Sequence, residues 1–391
     1  MKKTFIFLCA CLLLFSCKEN NKQTKEVEKA LNGVIMENAE WAMAQPPQTI
    51  TDFRCERSAG GIHDFYSEGD YWWPDPENPD GPYMRRDGET NPENFVAHRL
   101  AMIRFSKVVG ALASAYIVTG NEDYVKHAFL HINAWFVDSG TRMNPDLLYA
   151  QAIKGRTIGR GIGIIDTIHL MEVAQGIICM QKANCVDKEG LQSVKKWFVE
   201  YLQWLTTHQN GIDEMNAKNN HGTCWVMQVA SFAKLTGNKD LINFCRLRYK
   251  NVLLPEQMAK DGSFPRELER TKPYGYALFN LDAMTTICQI LSDEEDDLWK
   301  YTSLDGLNIK KGIDFMFPYI ENKSDWPYPH DVMYWNDWPV AQPSLIFGNL
   351  AYNEKRYFNV WKNLDHNPQE AEVVRNLPIR NPLLWVSLTG F

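Results

Sequence analysis

The sequence predicts an all-α protein whose helices form an incomplete (α/α) toroid, or barrel, of antiparallel helical hairpins. Apolar residues recur at helical spacing in long runs, and short turns rich in Gly, Asn and Asp separate the runs. Two of these turns are near-copies, Thr119-Gly-Asn-Glu-Asp and Thr236-Gly-Asn-Lys-Asp, which indicates a repeated helix pair. Strand-like alternation is scarce. The 391 residues, 45% of them hydrophobic, suffice for a large buried core.

Several segments carry the helical pattern; in the predicted helix 188–208, for example, Trp197, Tyr201 and Trp204 recur at helical spacing. The other predicted helices cover residues 100–119, 123–137, 162–179, 223–235, 239–254 and 278–291. Turn-rich stretches interrupt them at 50–98, 138–161, 209–222, 259–276 and 318–345. Because a toroid presents such loops at one end, we expect them to line a common cleft.

The N-terminus has the features of a bacterial lipoprotein signal. Lys2 and Lys3 precede an apolar run, 5–15, that is too short to span a membrane as a stable helix. The motif Leu14-Phe-Ser-Cys17 resembles a lipobox, so Cys17 is the predicted lipidated residue. A plain secretory signal is the alternative.

The expected organisation therefore has three parts, which are a signal peptide over 1–16, a polar tether over 17–34 and a single folded domain over 35–391. A lipid on the tether would anchor this domain to the outer membrane, in the periplasm or at the cell surface.

The overall charge of the chain limits its partners. The net charge is −7 at pH 7, and neither a basic stripe nor a nucleic-acid-binding motif is present, so nucleic acid is not expected. Positive groups that meet an acidic ligand must instead be gathered locally. The aromatic content of 12%, with 13 Trp, is high, so some rings are candidates for stacking on sugars.

Neither a metal site nor a disulfide framework is predicted. No CxxC pair or Cys/His spacing indicates zinc. Cys179 and Cys185 could close a short loop, whereas the apolar neighbours of Cys224 are typical of a buried thiol. His127 and His131 stand four residues apart, but without a third ligand an ordinary helix face is the preferred interpretation.

The strongest functional signal is Asn219-Asn-His221, followed later by Arg266-Glu-Leu-Glu-Arg270 and by Tyr274 and Tyr276. The amide and the guanidinium can hold and neutralise a carboxylate, while the imidazole and the phenol can transfer protons. This set suits removal of the proton alpha to a carboxylate, without any cofactor. Each motif alone is more often a helix cap or a solvated helix turn, so the inference depends on their combination and order.

Four segments resemble the alginate lyase family of polysaccharide lyases. They are His63-Asp-Phe-Tyr-Ser-Glu-Gly-Asp-Tyr-Trp-Trp-Pro-Asp-Pro76, Asn144-Pro-Asp-Leu-Leu-Tyr-Ala-Gln151 leading into Gly159-Arg-Gly-Ile-Gly163, Lys218-Asn-Asn-His-Gly-Thr-Cys-Trp225, and Asp261-Gly-Ser-Phe-Pro-Arg-Glu-Leu-Glu-Arg270 continuing to Asn280. The resemblance extends over residues 35–350 and implies an (α/α) toroid that cleaves a uronate polymer by β-elimination.

The resemblance also assigns catalytic residues. Asn220 and His221 match the family's Asn-His pair, Arg270 matches its arginine, and Tyr276 matches its tyrosine best. The best-known members have one more residue between the arginine and the tyrosine, so Tyr274 is a competing assignment.

Further residues are expected to bind the substrate. Tyr71, Trp72 and Trp73 lie in a loop rich in Pro, Asp and Gly that offers few partners for burial, which favours a cleft wall or lid. The other candidates, which lie in or beside the motifs, are Arg99, Tyr149, Gln151, Arg160, Asn219, Arg266 and Tyr274.

The expected reaction removes H5 of a uronate and protonates O4 of the departing sugar. In β-mannuronate and β-glucuronate both atoms lie on one face, so one tyrosine could be base and acid. In α-guluronate they lie on opposite faces, so His221 would be the base and the tyrosine the acid. We expect Arg270 to lower the pKa of the tyrosine. Mannuronate-rich alginate is the first expected substrate, and glucuronan is the second.

Two other functional classes are compatible with parts of the sequence. A glycoside hydrolase needs two facing carboxylic residues; Asp64, Glu68, Asp70 and Asp75 are available, but nothing in the sequence selects a pair. A non-catalytic glycan-binding lipoprotein would keep the aromatic residues, yet it has no need for the amide, imidazole, guanidinium and phenol together.

Overall fold

The computed structural model describes residues 2–386, with side chains described from Lys22 onwards. Within these residues the α-helices are α1 (Lys2–Met43), α2 (Ala97–Thr119), α3 (Glu122–Phe136), α4 (Leu170–Met180), α5 (Lys188–Thr207), α6 (Gln209–Met215), α7 (Asn220–Thr236), α8 (Lys239–Arg248), α9 (Leu254–Gln257), α10 (Pro265–Leu268), α11 (Pro273–Leu291), α12 (Ile309–Glu321), α13 (Pro343–Tyr352), α14 (Lys355–Trp361), α15 (Ala371–Arg375) and α16 (Leu383–Val386).

The strands are short and few in the described part of the chain. They are β1 (Tyr66–Glu68), β2 (Trp72–Trp73), β3 (Met84–Arg85) and β4 (Tyr149–Ala152). β1 pairs with β4 in parallel, and β2 pairs with β3 as an antiparallel hairpin. The prediction of a helix-rich protein is therefore confirmed, and the two small sheets lie in stretches that the sequence marks as turn-rich.

Five helices pack side by side in chain order and form an inner row, α2, α4, α7, α11 and α13. The helices α3, α8, α12 and α14 each pack against the inner helix that precedes them. α11 is buried at every position except Gln289, as expected for a helix that is apolar on all sides. α2 is long and apolar enough to cross a membrane, but 72% of its apolar window is buried inside the fold, which is typical of a core helix.

The two near-identical turns have the same structural role. Gly120 and Gly237 end the inner helices α2 and α7 with left-handed φ values of 68° and 73°. The asparagine that follows each glycine caps the next helix, because Asn121 accepts from the Asp123 amide and Asn238 from the Leu241 amide. Glycine adopts the left-handed conformation without the steric cost of a Cβ, and asparagine is a preferred helix N-cap.

The N-terminal segment differs from the prediction. α1 includes the residues expected to form a polar tether over 17–34, and Val27 and Leu31 are buried in the core. Gln23 Nε2 also donates to Asn353 Oδ1 at 2.9 Å, so packing begins before residue 35. The apolar residues recur every four positions in a charged segment and form only a narrow stripe. The predicted signal peptide and Cys17 lie outside the residues whose side chains are described.

The C-terminal segment 371–386 contacts the inner row. In α4, Gln175 Nε2 donates to the Leu384 carbonyl at 2.8 Å, and Glu172 accepts from the Asn381 amide at 2.5 Å. In α11, Gln289 Nε2 donates to the Trp385 carbonyl at 3.0 Å. The segment therefore connects inner helices that are distant in sequence.

The cysteines and the histidine pair have structural surroundings. The six cysteines whose side chains are described are free thiols, so the loop closure considered for Cys179 and Cys185 is not formed. Cys224 is fully buried, as its neighbours indicate. His127 and His131 both place Nε2 3.1 Å from the Gln45 carbonyl oxygen, which explains their spacing without a metal.

The turn geometry predicts opposite effects for two Gly→Ala substitutions. Gly237→Ala should lower the free energy of unfolding by about 1 kcal/mol, because alanine is strained at a left-handed φ even though the space around Gly237 is open. Gly33→Ala, at an exposed helical position with equal space, should raise it by about 0.5–1 kcal/mol. Denaturant titration measures both, and a neutral Gly237→Ala would contradict the role of this cap.

Candidate active site

A cavity of about 310 Å³ opens where the N-terminal turns of α7 and α11 meet the β2–β3 hairpin and the C-terminal segment. The structure brings nine of the residues expected from the sequence to its wall, which are Tyr71, Trp72, Gln151, Arg160, Asn219, Asn220, His221, Arg270 and Tyr276. Asp70, Arg85, Arg375 and Asn376 also line it; of these four the sequence offered only Asp70, as one of the carboxylates considered for a hydrolase.

Asn220 is fixed at the start of α7 by a carboxylate. Its backbone N–H donates to Glu267 Oε1 and its side-chain Nδ2 donates to Glu267 Oε2, each at 2.7 Å. Glu267 lies in α10 and is buried, and burial raises the pKa of its carboxyl. A carboxyl group at a helix N-terminus also satisfies a backbone donor that has no partner within the helix. The contact orients the Asn220 amide at the cavity wall.

His221 is oriented by a second acidic residue. Its Nδ1 lies 2.7 Å from Oε1 of Glu214, a buried residue of α6. This contact occupies Nδ1 and leaves Nε2 as the ring nitrogen that can interact with a ligand. The His221 side chain retains 18% exposure at the cavity.

Arg270 is held by Asp87 from the loop after β3. Its Nε and Nη2 donate to Asp87 at 3.1 and 2.9 Å, and Thr271 Oγ1 donates to the same carboxylate at 3.1 Å. Burial opposes ionisation of Asp87, but the hydrogen bond and charge of Arg270 outweigh it and lower the pKa of Asp87 to about 2. The guanidinium carbon of Arg270 lies 4.6 Å from the centroid of the Tyr276 ring, so the two side chains form a cation–π contact.

Tyr276 is 8% exposed, and its hydroxyl donates to the Tyr71 hydroxyl at 3.0 Å. Burial raises the pKa of Tyr276 well above its usual value, and the neighbouring Tyr71 adds to the increase. Lys272 and Arg270 lower that pKa, but by less than burial raises it. Arg270 therefore acts on the Tyr276 pKa in the expected direction, but the phenol is almost completely withdrawn from water, and this burial raises the pKa by more than Arg270 lowers it.

Tyr71 extends this arrangement to the C-terminal segment. Its hydroxyl donates to Oε1 of Glu372 at 3.4 Å, and burial raises the pKa of Tyr71. Lys272 Nζ lies 2.5 Å from the same Glu372 oxygen, and Arg375 Nη1 lies 3.0 Å from the other. Burial alone would raise the pKa of Glu372, but the charges of Arg375 and Lys272 lower it below its usual range.

Arg99 has a supporting position and not the substrate-facing position expected. It is buried and pairs with Asp70 at 2.5 Å and with Asp166 at 3.3 Å. Asp70 also pairs with Arg375 at 2.9 Å. The guanidinium of Arg99 therefore makes its ion pairs inside the fold, because a buried guanidinium requires carboxylate partners.

Gln151 and Arg160 form another part of the cavity wall, next to Trp72. Arg160 donates through Nε to the Gln151 carbonyl at 3.0 Å and through Nη2 to Gln151 Oε1 at 2.9 Å. The Gln151 backbone has a φ of 48°, which is unusual for a residue other than glycine. Strained backbone of this kind is concentrated at functional sites.

Four other candidates lie away from the cavity lining. Trp73 turns to the opposite face of β2 from Trp72, and its Nε1 donates to the Glu89 carbonyl at 3.0 Å. Tyr149 packs its ring close to Gly60, and Arg266 is exposed on α10.

Tyr274 is the fourth of these residues, and it is 0% exposed. Its hydroxyl donates to the Tyr319 carbonyl at 2.9 Å, and its ring packs edge-on against Trp326 and Trp335. Two positions correspond to about 200° around a helix, so Tyr274 and Tyr276 face opposite sides of α11. The structure therefore places Tyr276, and not Tyr274, at the cavity.

The sequence motifs do not identify the acidic residues that orient the site. Glu267 lies within the Arg266–Arg270 motif itself, so its proximity to Arg270 was a usable signal. Glu214, Asp87 and Glu372 come from separate segments, and no local pattern identifies them. Among the described residues there is no cluster of three or more His, Cys, Asp or Glu side chains that could hold a metal ion.

The sequence model of the Alginate lyase family matches residues 49–326. An alginate lyase from Bacteroides ovatus has a similar solved structure, with 30% identity, a TM-score of 0.78 and coverage of 94% of this chain and 98% of that chain. A histidine-to-alanine variant of alginate lyase A1-III complexed with tetrasaccharide is 15% identical, with a TM-score of 0.58 and coverage of 90% and 93%.

Alginate lyase A1-III from Sphingomonas species A1 is 14% identical, with a TM-score of 0.51 and coverage of 81% and 85%. At these lower identities the likeness concerns the fold alone. No curated protein matches the chain significantly. Because the family model covers well over half of the chain and the Bacteroides ovatus enzyme is 30% identical over nearly all of it, the chain belongs to the alginate lyase family and is a polysaccharide lyase.

Proposed function

We propose that the protein cleaves alginate, with preference for mannuronate-rich chains, by β-elimination that leaves 4,5-unsaturated uronate ends. The observation that carries the proposal is the convergence of Asn220, His221, Arg270 and Tyr276 on one cavity. The solved relatives are alginate lyases, and one of them was complexed with a tetrasaccharide. The inner row, together with the helices α3, α8, α12 and α14 that pack against it, supports an incomplete toroid of antiparallel hairpins with this cavity at one end.

The first step is recognition of the uronate carboxylate. Arg270 uses Nε and one hydrogen of Nη2 on Asp87, which leaves other guanidinium N–H groups for the substrate. Asn220 and His221 present their side chains from the first turn of α7, where the helix dipole favours negative charge. Charge that develops on the carboxylate when H5 departs is thereby stabilised.

The second step is proton transfer by Tyr276. A base removes H5, the electron pair of that bond forms the C4=C5 double bond, the C4–O4 bond breaks, and O4 takes up a proton. In mannuronate H5 and O4 share one face, so the ionised Tyr276 can accept H5 as a proton and, as the phenol that it then becomes, return this proton to O4. The groups that favour the phenolate are the cations Arg270 and Lys272, which lie 4.6 and 5.3 Å from the centroid of the Tyr276 ring.

The N-terminal motif supports a cellular location. We propose that Cys17 is lipidated and that the enzyme is anchored to the outer membrane, in the periplasm or at the cell surface, where it meets acidic polysaccharide. Metabolic labelling with a fatty-acid analogue tests this proposal, because Cys17→Ser should abolish labelling.

The choice of tyrosine gives a direct test. Tyr276→Phe should lower alkene formation on mannuronate-rich polymer by at least about 10²–10⁴-fold, because it deletes only the hydroxyl that transfers the proton. Tyr274→Phe should keep a near-parental rate and lose about 1 kcal/mol of stability with its buried hydrogen bond to the Tyr319 carbonyl. Ultraviolet absorbance of the new alkene measures both.

Substrates for the same assay are mannuronate-rich alginate, guluronate-rich alginate and glucuronan. Turnover of glucuronan at a rate equal to or higher than that of alginate would show that alginate is not the preferred polymer. An active Tyr276→Phe enzyme would contradict the assignment of the tyrosine.

Removal of a group that stabilises the developing charge should lower activity nearly as much as removal of the Tyr276 hydroxyl. His221→Ala and Arg270→Ala should each reduce turnover by at least about a hundredfold, on the scale of losing one electrostatic stabiliser. Arg266→Ala is the matched control, because Arg266 lies on the adjacent helical turn and is exposed. Circular dichroism verifies that each variant is folded, and near-parental rates in folded His221→Ala and Arg270→Ala enzymes would exclude the proposed roles.

The raised pKa of Tyr276 predicts the pH dependence. Below the pKa of a group, only a small fraction of it is in the ionised form that acts as a base, and this fraction grows tenfold per pH unit. On mannuronate-rich polymer kcat/KM should therefore rise by about tenfold per unit between about pH 6.5 and 8.5. A flat or falling profile would mean that Tyr276 acts only as an acid and that another group is the base.

A further inference from the structure

Three cationic side chains at and beside the cavity lie over two aromatic rings, and two of these cations are exposed at the protein surface. Arg160 and Trp72 belong to the cavity wall. The guanidinium carbons of Arg160 and Arg156 lie 5.8 and 5.1 Å from the centroid of the Trp72 ring. Lys154 Nζ lies 5.6 Å from the centroid of the Tyr83 ring. We call Arg160, Arg156 and Lys154 the cation track.

The loop that carries the track is fixed to the β2–β3 hairpin. Arg156 Nε donates to the Tyr83 carbonyl at 2.7 Å, and the Tyr83 amide donates to the Lys154 carbonyl at 3.1 Å. Gly155 has a φ of 72°, and a Cβ there would lie 2.8 Å from Pro82 Cα, so only glycine permits this close approach. A cation that lies over the face of an aromatic ring is also attracted electrostatically by that ring.

The track differs from the other cations of the site in having no acidic partner. Arg85 and Arg270 both pair with Asp87, whereas no residue of the track forms an ion pair with a carboxylate in the described part of the chain. Lys154 and Arg156 are exposed. In a protein of net charge −7, a row of unpaired cations beside the cavity is therefore a local attraction for a polyanion.

We propose that the cation track binds successive carboxylates of the polyuronate chain outside the cavity and makes the enzyme favour long chains over short ones. The proposal rests on the proposed function, because a polyuronate carries one carboxylate on every sugar. Each exposed ion pair contributes little. A chain long enough to reach Lys154 makes several such contacts, whereas a chain confined to the cavity makes none with Arg156 or Lys154.

The test compares a polymer and a trisaccharide of the same uronate as substrates of the Lys154→Ala/Arg156→Ala double variant. The KM for the polymer should rise by about three- to tenfold, on the scale of two exposed ion pairs. This increase should exceed any change on the trisaccharide by at least about threefold. Added salt should weaken polymer binding to the parent more steeply than to the double variant.

Two controls accompany the double variant. Arg356→Ala removes another cation that lies over rings, 5.0 Å from Phe317 and 5.1 Å from Tyr357, but one that is already paired with Asp314. It should leave the ratio of polymer to trisaccharide turnover unchanged. Lys154→Arg/Arg156→Lys keeps both charges and should restore most of the polymer affinity, which separates charge loss from local unfolding.

Equal changes on polymer and trisaccharide, or no change on the polymer, would overturn the proposal. If no polyuronate yields alkene with the parent, the proposed function fails. The track is then tested by affinity electrophoresis in gels that contain uncleaved alginate. Retardation of the parent that is lost in the double variant supports the track, and equal mobility refutes it.

Discussion

Glu372, held between Lys272 and Arg375, is the contact on which the geometry of the site depends. Arg375 also forms an ion pair with Asp70, and Asp70 forms one with Arg99. This buried network therefore joins the loop after β1, α2, the start of α11 and the C-terminal segment. Removing one member of a buried ion pair leaves an uncompensated charge and costs about 3–5 kcal/mol. The network therefore fixes chain segments that are far apart in sequence in a single arrangement around the cavity.

The same principle of internal pairing prepares the catalytic side chains. Glu267 orients the Asn220 amide, Glu214 orients the His221 imidazole, and Asp87 orients the Arg270 guanidinium. Each functional group keeps donors or acceptors that its acidic partner does not use. Because these groups are already oriented before substrate arrives, little reorganisation is needed when charge develops.

The sequence predicts part of this arrangement and leaves other parts open, for physical reasons. Helical spacing and Gly-Asn turns are local features, so the helices and the paired ends at Gly120 and Gly237 follow from the sequence. The distinction between Tyr274 and Tyr276 depends on where α11 begins, because a change of two positions reverses the face of a helix.

Long-range pairing is what the sequence cannot supply. Arg99 looks like a free cation near the motifs, yet Asp70 and Asp166 neutralise it. Glu372 has no motif around it, and it acquires its role only when the segment 371–386 packs against the rest of the fold. The direction of the Tyr276 pKa shift also depends on burial, which outweighs the nearby charge of Arg270.

The most direct test of the central claim is mass spectrometry of the oligosaccharides released from mannuronate-rich alginate. Elimination breaks the C4–O4 bond without adding water, so each product with a new non-reducing end should weigh one water less than the saturated oligouronate of the same length. Products with the full saturated mass would show hydrolysis, and they would contradict a site built to remove H5.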